Sequence, residues 1–226
     1  MSGSPLPQKR HEATILFFSD LLEGLEHFIF FGTLLGITRD GAPIKGDDDV
    51  DFYVAKDQRN EFIHRLETAG FKLDLSAKPN HTDFFLQVAD LINGKFSKAD
   101  FYFYERQEEN IAEYWHFHGP RGSNFTKMIV PNDLVYPLTT VLFRGKEISV
   151  PANPEGVCEY LYGSSWIVPK EKGSQYKIKI IDSVPTYIEI KGLNLKKYLK
   201  HLKFRHTFSN IEKKAKLLFR RRKHKS

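Results

Sequence analysis

Apolar positions along the chain follow two different periods. Ile15, Phe18, Leu22 and Leu25 recur at i, i+3, i+7 and i+10, which predicts an amphipathic helix over 8–26. The run HFIFF at 27–31 is short and aromatic, and it reads as a buried strand. It ends at Gly32-Thr33, where Thr33 offers an N-cap for a short helix through LLGIT; Asp40-Gly41 then marks a turn. VDFYV at 50–54 has strand composition. A helix is predicted over 57–69, capped by Asp57, with Phe62 and Leu66 on one face and Gly70 to end it. Alternation of Phe71, Leu73 and Leu75, of Phe84, Leu86 and Val88, and of Ala99, Phe101 and Phe103 predicts three more strands.

From 111 to 150 the pattern is mixed, with a strand near 125–130 and a helix or loop around 132–142. Prolines and glycines in 151–170 bracket a short helix in GVCEYLYG. After Asn194 come two amphipathic stretches, Leu195, Leu199 and Leu202, then Phe208, Ile211 and Leu218. The order helix, strand, helix, strand, helix, then strands predicts an α+β (mixed α/β) fold, a mixed sheet flanked by helices. A purely parallel sheet needs more strand–helix alternation after residue 70.

Composition narrows the class. With 226 residues, 41% hydrophobic and 27% charged, the chain can build a substantial core, which excludes a disordered or fibrous protein. The one cysteine, Cys158, excludes an intramolecular disulfide framework and a cysteine zinc finger, and it reads as a packed thiol. No apolar run reaches the ~20 residues a bilayer requires, and the stretch 15–22 lacks a signal-peptide pattern, so a cytoplasmic address is expected. The overall charge of +6 hides an asymmetry. From Lys191 onward 14 basic residues face one acid, Glu212, for a net of +13; the first 190 residues carry 20 basic and 27 acidic residues, a net of −7. The expected organisation is therefore a domain over 1–190 and a basic helical tail over 191–226, with an anionic partner or plain solvation as the tail's role.

The candidate chemistry is concentrated in GDDDVDF at 46–52. Four carboxylates in five positions repel one another unless a cation holds them. Asp47, Asp49 and Asp51 are spaced by two; on a strand, such side chains share a face, about 6.6 Å apart. Asp49 and Asp51 can then contact one divalent ion or bridge a pair, and hard carboxylate oxygens favour Mg²⁺ or Mn²⁺. An EF-hand is excluded, because counting from Asp47 puts Phe52 where glycine is required and Gln58 where glutamate is required. In ADFYFY, Asp100 precedes Tyr102 and Tyr104 as Asp51 precedes Tyr53, so neighbouring strands would bring Asp100 to the same site as a ligand or general base. Gly32-Thr33, at a strand end and helix start, offers backbone amides to an anion. Two histidines in YWHFH at 114–118 lack further zinc ligands nearby.

Taken together, FFGTLLGITRDGAPIKGDDDVDFYV resembles the LicD/fukutin family of nucleotidyltransferase-fold enzymes. The resemblance rests on Gly32, Thr33, Leu34, Leu35, Gly36, Arg39, Gly41, Ile44, Asp47, Asp48, Asp49 and Asp51, on Asp100 in ADFYFY, and on Tyr162, Gly163 and Trp166 of a later Tyr-Gly…Trp motif. It spans roughly residues 10–170; Lys45-Gly46 stands where the family usually has Pro-Trp. It implies a nucleotidyltransferase-like domain that transfers a phospho-alcohol, such as phosphocholine or a polyol phosphate, from a CDP-linked donor to a glycan hydroxyl of a capsule, lipopolysaccharide or teichoic acid. It further implies Asp49, Asp51 and Asp100 as metal ligands and catalytic carboxylates, supported by Asp47, with Gly32, Thr33 and Arg39 on phosphate. Arg39 has a structural alternative, as partner of Asp40 or Asp48. A lipid-linked acceptor would give the basic tail a role in peripheral contact with the inner membrane face. Two rival readings are a nucleotidyltransferase modifying nucleic acid or protein, and a non-catalytic membrane- or RNA-binding module. The joint pattern argues against a nucleic-acid partner, and the complete aspartate set argues against a dead site.

Overall fold

Helices and strands alternate as far as residue 68, and strands then dominate. The computed structural model describes residues 8–71, 73, 81–82, 84–89, 98–119 and 122–170. The elements are α1 (Gln8–Leu21), β1 (His27–Ile29), α2 (Phe31–Asp40), β2 (Asp49–Ala55), a 3₁₀ turn (Lys56–Gln58), α3 (Arg59–Thr68), β3 (His81–Thr82), β4 (Phe85–Val88), β5 (Lys98–Arg106), β6 (Asn110–Gly119), β7 (Gly122–Pro131), α4 (Asn132–Val135), β8 (Thr139–Phe143), β9 (Lys146–Val150) and α5 (Pro154–Tyr162). Among the described residues, seven strands form one sheet in the order β1-β2-β5-β4-β3, with β6 joined to β5 and β7 to β6; β8 and β9 pair separately. β2 and β5 run parallel, while β1–β2, β4–β5, β5–β6 and β6–β7 are antiparallel. The sheet is therefore mixed, and the fold is α+β as its element order predicts.

The core follows from the composition of β2 and β5. One face of their pair carries Val50, Phe52 and Val54 against Ala99, Phe101 and Phe103, all buried. α1 and α3 cover it: the Phe18 ring meets Phe101 at 5.0 Å edge-on, Phe62 meets Phe101 at 4.5 Å, and Phe52 stacks on Phe101 at 5.4 Å. Such aromatic pairs add about 0.5–1.5 kcal/mol each beyond the area they bury. The other face carries the polar residues described below.

Several boundaries differ from the sequence expectation. α1 stops at Leu21 rather than at residue 26, and Gly24 adopts φ +79°, which leaves the helical path. β1 ends at Ile29; α2 begins at Phe31 with Phe30 as N-cap, so Thr33 lies inside the first turn and does not cap it. The predicted helix over 57–69 is a 3₁₀ turn followed by α3. Phe71 and Leu73 belong to no strand and pack on the core from a connecting segment, Phe71 at 5.8 Å from Phe17. The mixed region holds a long hairpin, β6–β7, and residues 132–142 divide into the short α4 and the start of β8. α5 forms where GVCEYLYG is read as helical, its N-cap Asn153 accepting from the Gly156 amide at 2.8 Å.

Cys158 is buried on α5, and burial pushes its thiol up to about 12, as expected of a packed, inert cysteine. The basic tail from 191, its boundary at 190, and Leu75 lie outside the described residues, as do the side chains of the 116 and 118 histidines. No helix among the described residues is long and apolar enough to cross a membrane. All the elements named above belong to one compact unit.

Candidate active site

Residues directly opposite in a parallel strand pair project to the same face, so β2 and β5 build a ladder of side chains. Its rungs are Asp49/Lys98, Asp51/Asp100, Tyr53/Tyr102 and Ala55/Tyr104, about 6.6 Å apart along the strands. The acids expected from two separate segments therefore stand on one face. Asp51 and Asp100 are direct neighbours, each 7% exposed.

The β1–α2 junction fixes Asp51. Its backbone amide donates to the Thr33 hydroxyl at 2.8 Å, and its carbonyl accepts from the Phe30 amide at 3.0 Å. The Gly32 amide, in the first turn of α2, donates to Asp51 Oδ2 at 3.2 Å, so the positive end of the helix faces this carboxylate. Thr33 thus serves the site through its side chain and Gly32 through its backbone. Glycine at position 32 leaves room for the carboxylates: a Cβ there would lie 2.9 Å from Asp47 Oδ2 and 3.5 Å from Asp51 Oδ2. The preceding residue, Phe31, holds φ +42°, a costly value for a non-glycine, about 1–3 kcal/mol. Packing keeps it there, with its ring edge-on to Tyr102 at 5.0 Å and to Tyr53 at 5.7 Å.

Asp47, Asp48 and Asp49 place one carboxylate oxygen each within 4.8 Å of one another, and all three are half-buried. This is the one such group of ligand atoms among the described residues. Asp51 and Asp100 form the adjoining rung rather than part of this triad. The Lys98 ammonium stands 3.3 Å from Asp49 Oδ2 and 3.6 Å from Asp48 Oδ2. Gln87, opposite Asp100 on β4, donates its side-chain amide to Asp100 Oδ1 at 2.8 Å.

Crowding shows in the electrostatics. Burial, then the Asp49 charge, pushes Asp47 up to about 6. Burial also raises Asp100 to about 6, against the pull of Gln87. Asp51 is driven well above the usual carboxylate range by burial and by Asp49, Asp100 and Asp47, with the Gly32 amide alone resisting among the leading influences. Lys98 is raised: burial works against its charge, but Asp49, Asp100 and Asp48 outweigh it. A set of half-buried hard oxygens whose charge is under-compensated fits a divalent cation such as Mg²⁺ or Mn²⁺.

Arg39 sits elsewhere, in the last turn of α2, away from Gly32. Its guanidinium grips Asp40 through two bonds, Nε to Oδ1 at 2.9 Å and a terminal nitrogen to Oδ2 at 2.6 Å. This pairing with Asp40 is one of the two structural partners the sequence offers for Arg39. Sequence reasoning placed Asp48 in the acidic cluster without a role of its own, and it missed Lys98 and Gln87 beside the cluster and Phe31 behind it. The signal for Lys98 lies in aligning DVDFYVA with KADFYFY, which sets lysine opposite Asp49.

Deeper along the same face, Glu113 of β6 is 1% exposed and takes the Tyr53 hydroxyl on one oxygen; among the described residues no hydrogen-bond partner reaches the other. Burial holds its acid well above its ordinary value. Beyond it, two cavities of about 620 and 580 Å³ open at the far end of the ladder, and Glu26 and Arg106 line both.

Residues 24–153, more than half the chain and including every site residue above, match the family model "LicD/FKTN/FKRP, nucleotidyltransferase domain". Among solved structures, the lincomycin-bound lincosamide antibiotic adenylyltransferase LnuA is similar at 14% identity, over 64% of this chain and 82% of that one, with a TM-score of 0.43. No curated protein matches the chain.

Proposed function

The chain belongs to the LicD/FKTN/FKRP nucleotidyltransferase-domain family, and from that premise we propose that it transfers a phospho-alcohol from a nucleotide-activated, CDP-type donor to a hydroxyl of a cell-surface or capsular glycan. The observation that carries this reading is the Asp51/Asp100 rung, set between the Asp47–Asp49 triad and the amide end of α2.

The residues divide the work. Asp47, Asp48, Asp49 and Asp51 would hold Mg²⁺ or Mn²⁺, with Asp100 as a further ligand or as the base. The ion, when bound, supplies positive charge to the donor diphosphate and its leaving group. The α2 amides next to Gly32 would steady a phosphate oxygen. The acceptor hydroxyl attacks the phosphorus that bears the alcohol; the new O–P bond forms as the bond to the bridging oxygen breaks, and CMP departs with that oxygen. The acceptor's proton goes to a carboxylate, and Asp100 suits this role: Gln87 occupies Oδ1, which leaves Oδ2 to take the proton. Thr33 and Phe31 hold the backbone of this arrangement.

The test is incubation of the purified protein with Mg²⁺, a glycan acceptor and a panel of CDP-alcohols and NTPs. The account expects CMP from one CDP-alcohol, and its loss in Asp51→Asn. Pyrophosphate released from an NTP would replace this reading with nucleotidyl transfer. No release from any donor, or full activity in Asp51→Asn, would overturn it.

A further inference from the structure

The ammonium of Lys98 is the cation among the described residues that bridges two members of the acidic cluster, Asp48 and Asp49. It occupies the first position of β5, opposite Asp49. Its side chain is 31% exposed, so part of the flexible stem already faces solvent. Lysine suits this better than arginine would, being a compact charge on a flexible four-carbon stem rather than a planar fork locked onto carboxylates.

The site's charge makes one ammonium insufficient. Five carboxylates, from Asp47, Asp48, Asp49, Asp51 and Asp100, stand around it or beside it. A divalent ion on the same oxygens would repel the ammonium and satisfy its partners. The freed Lys98 would stand at the mouth of the site, where a diphosphate brings the complementary charge.

We propose that Lys98 is a resident counter-ion of the acidic cluster, displaced when a divalent cation binds and then re-engaged by the donor's diphosphate. This rests on the function proposed above and adds a positioning residue to it. Lys98 lowers the protein's affinity for bare metal and raises its affinity for metal with diphosphate, which couples the two binding events. A surface ion pair with no such role would leave both affinities unchanged.

Mn²⁺ binding to the full chain, followed by its paramagnetic signal with and without inorganic pyrophosphate, reads the coupling. In Lys98→Met the expectation is Mn²⁺ binding about three- to tenfold tighter without pyrophosphate, since a competing charge at a half-exposed site is gone. Pyrophosphate binding to the Mn²⁺-loaded variant should be about tenfold weaker, and Lys98→Arg should recover most of that loss. Unchanged or weaker Mn²⁺ binding in Lys98→Met, or unchanged pyrophosphate binding, overturns the proposal. A wild-type protein that binds no Mn²⁺ overturns it together with the metal-dependent reading of the site. Wild-type binding and CDP-alcohol turnover without these Lys98 effects overturns this proposal alone.

A second measurement needs no variant. Labelling of Lys98 by an amine reagent, followed by mass spectrometry, should rise severalfold with Mg²⁺ and fall again with pyrophosphate. Labelling that is unaffected or lowered by Mg²⁺ overturns the proposal.

Discussion

The β2–β5 ladder has a carboxylate near each end, Glu26 half-buried and Asp51 buried, and the two meet opposite fates. At the far end, Glu26 accepts from the Tyr104 hydroxyl at 2.6 Å, the Tyr136 hydroxyl at 2.7 Å and the Arg106 guanidinium at 2.9 Å. Burial pushes its carboxyl up, but those three partners together outweigh it and hold it below its ordinary value. At the near end, Asp51 receives the Gly32 amide while Asp49, Asp100 and Asp47 crowd it, and it is driven upward. Burial is common to both; partners decide the sign. A carboxylate paired within the fold is structural. A group of them left under-compensated stores a demand for positive charge, which a ligand can meet.

The largest effect expected from this contrast is at Asp51. Asp51→Asn should lower turnover by about 10³-fold while leaving the melting temperature of the metal-free protein unchanged or higher, because it removes a repelling charge. A variant that lost both activity and stability would make Asp51 structural and erase the contrast.

Glu26→Ala should behave the other way. It strips the acceptor from two tyrosine hydroxyls and a guanidinium, which costs about 1–3 kcal/mol and lowers the melting temperature by several degrees, while turnover per folded molecule is kept. Thermal denaturation beside an active-fraction assay measures both.

A smaller effect belongs to Gly32→Ala. Alanine suits a helix about 1 kcal/mol better than glycine does, but its Cβ would displace the Asp47 carboxylate, the movable neighbour at 2.9 Å. Mn²⁺ affinity should drop about tenfold with stability retained, as calorimetric titration and a melting curve would show.

The smallest is a pH slope. Asp47 and Asp100 sit near 6 in the fold against an ordinary value of 3.8. The folded state therefore holds extra protons between those limits; the stability they lend is complete below about pH 4 and is lost as pH rises through about 6. The metal-free protein should melt a few degrees lower at pH 7 than at pH 5, and Mg²⁺ should abolish the difference. Glu26, lowered instead, contributes stability that is lost only in more acid solution.

The legible part of the site was its strand chemistry. DVDFYVA and KADFYFY repeat one alternation, acid then tyrosine on one face and apolar residues on the other, so that once the two strands are neighbours Asp51 and Asp100 share a face. The parallel sense and the register are tertiary facts: they depend on β5 lying between β2 and β4, which no local period encodes. The helix start was misjudged because threonine is a good cap in general, whereas here the Thr33 hydroxyl is taken by a strand amide 18 residues later. Arg39 has two roles open to it in the sequence, and the structure shows its pairing with Asp40. Lys98 and Gln87 were invisible as site residues because each matters through a cross-strand partner. Glu113 was equally hidden, reaching Tyr53 from 60 positions away.

The central claim is that the carboxylates at the near end of the ladder share a divalent cation. Crystals of the protein soaked in Mn²⁺ and measured for its anomalous scattering test it most directly. The account predicts a peak bonded to Asp49 and Asp51 at about 2.0–2.3 Å, with the Lys98 ammonium moved off Asp49. A map without a peak there, while the same crystals bind Mn²⁺ elsewhere or not at all, would contradict it.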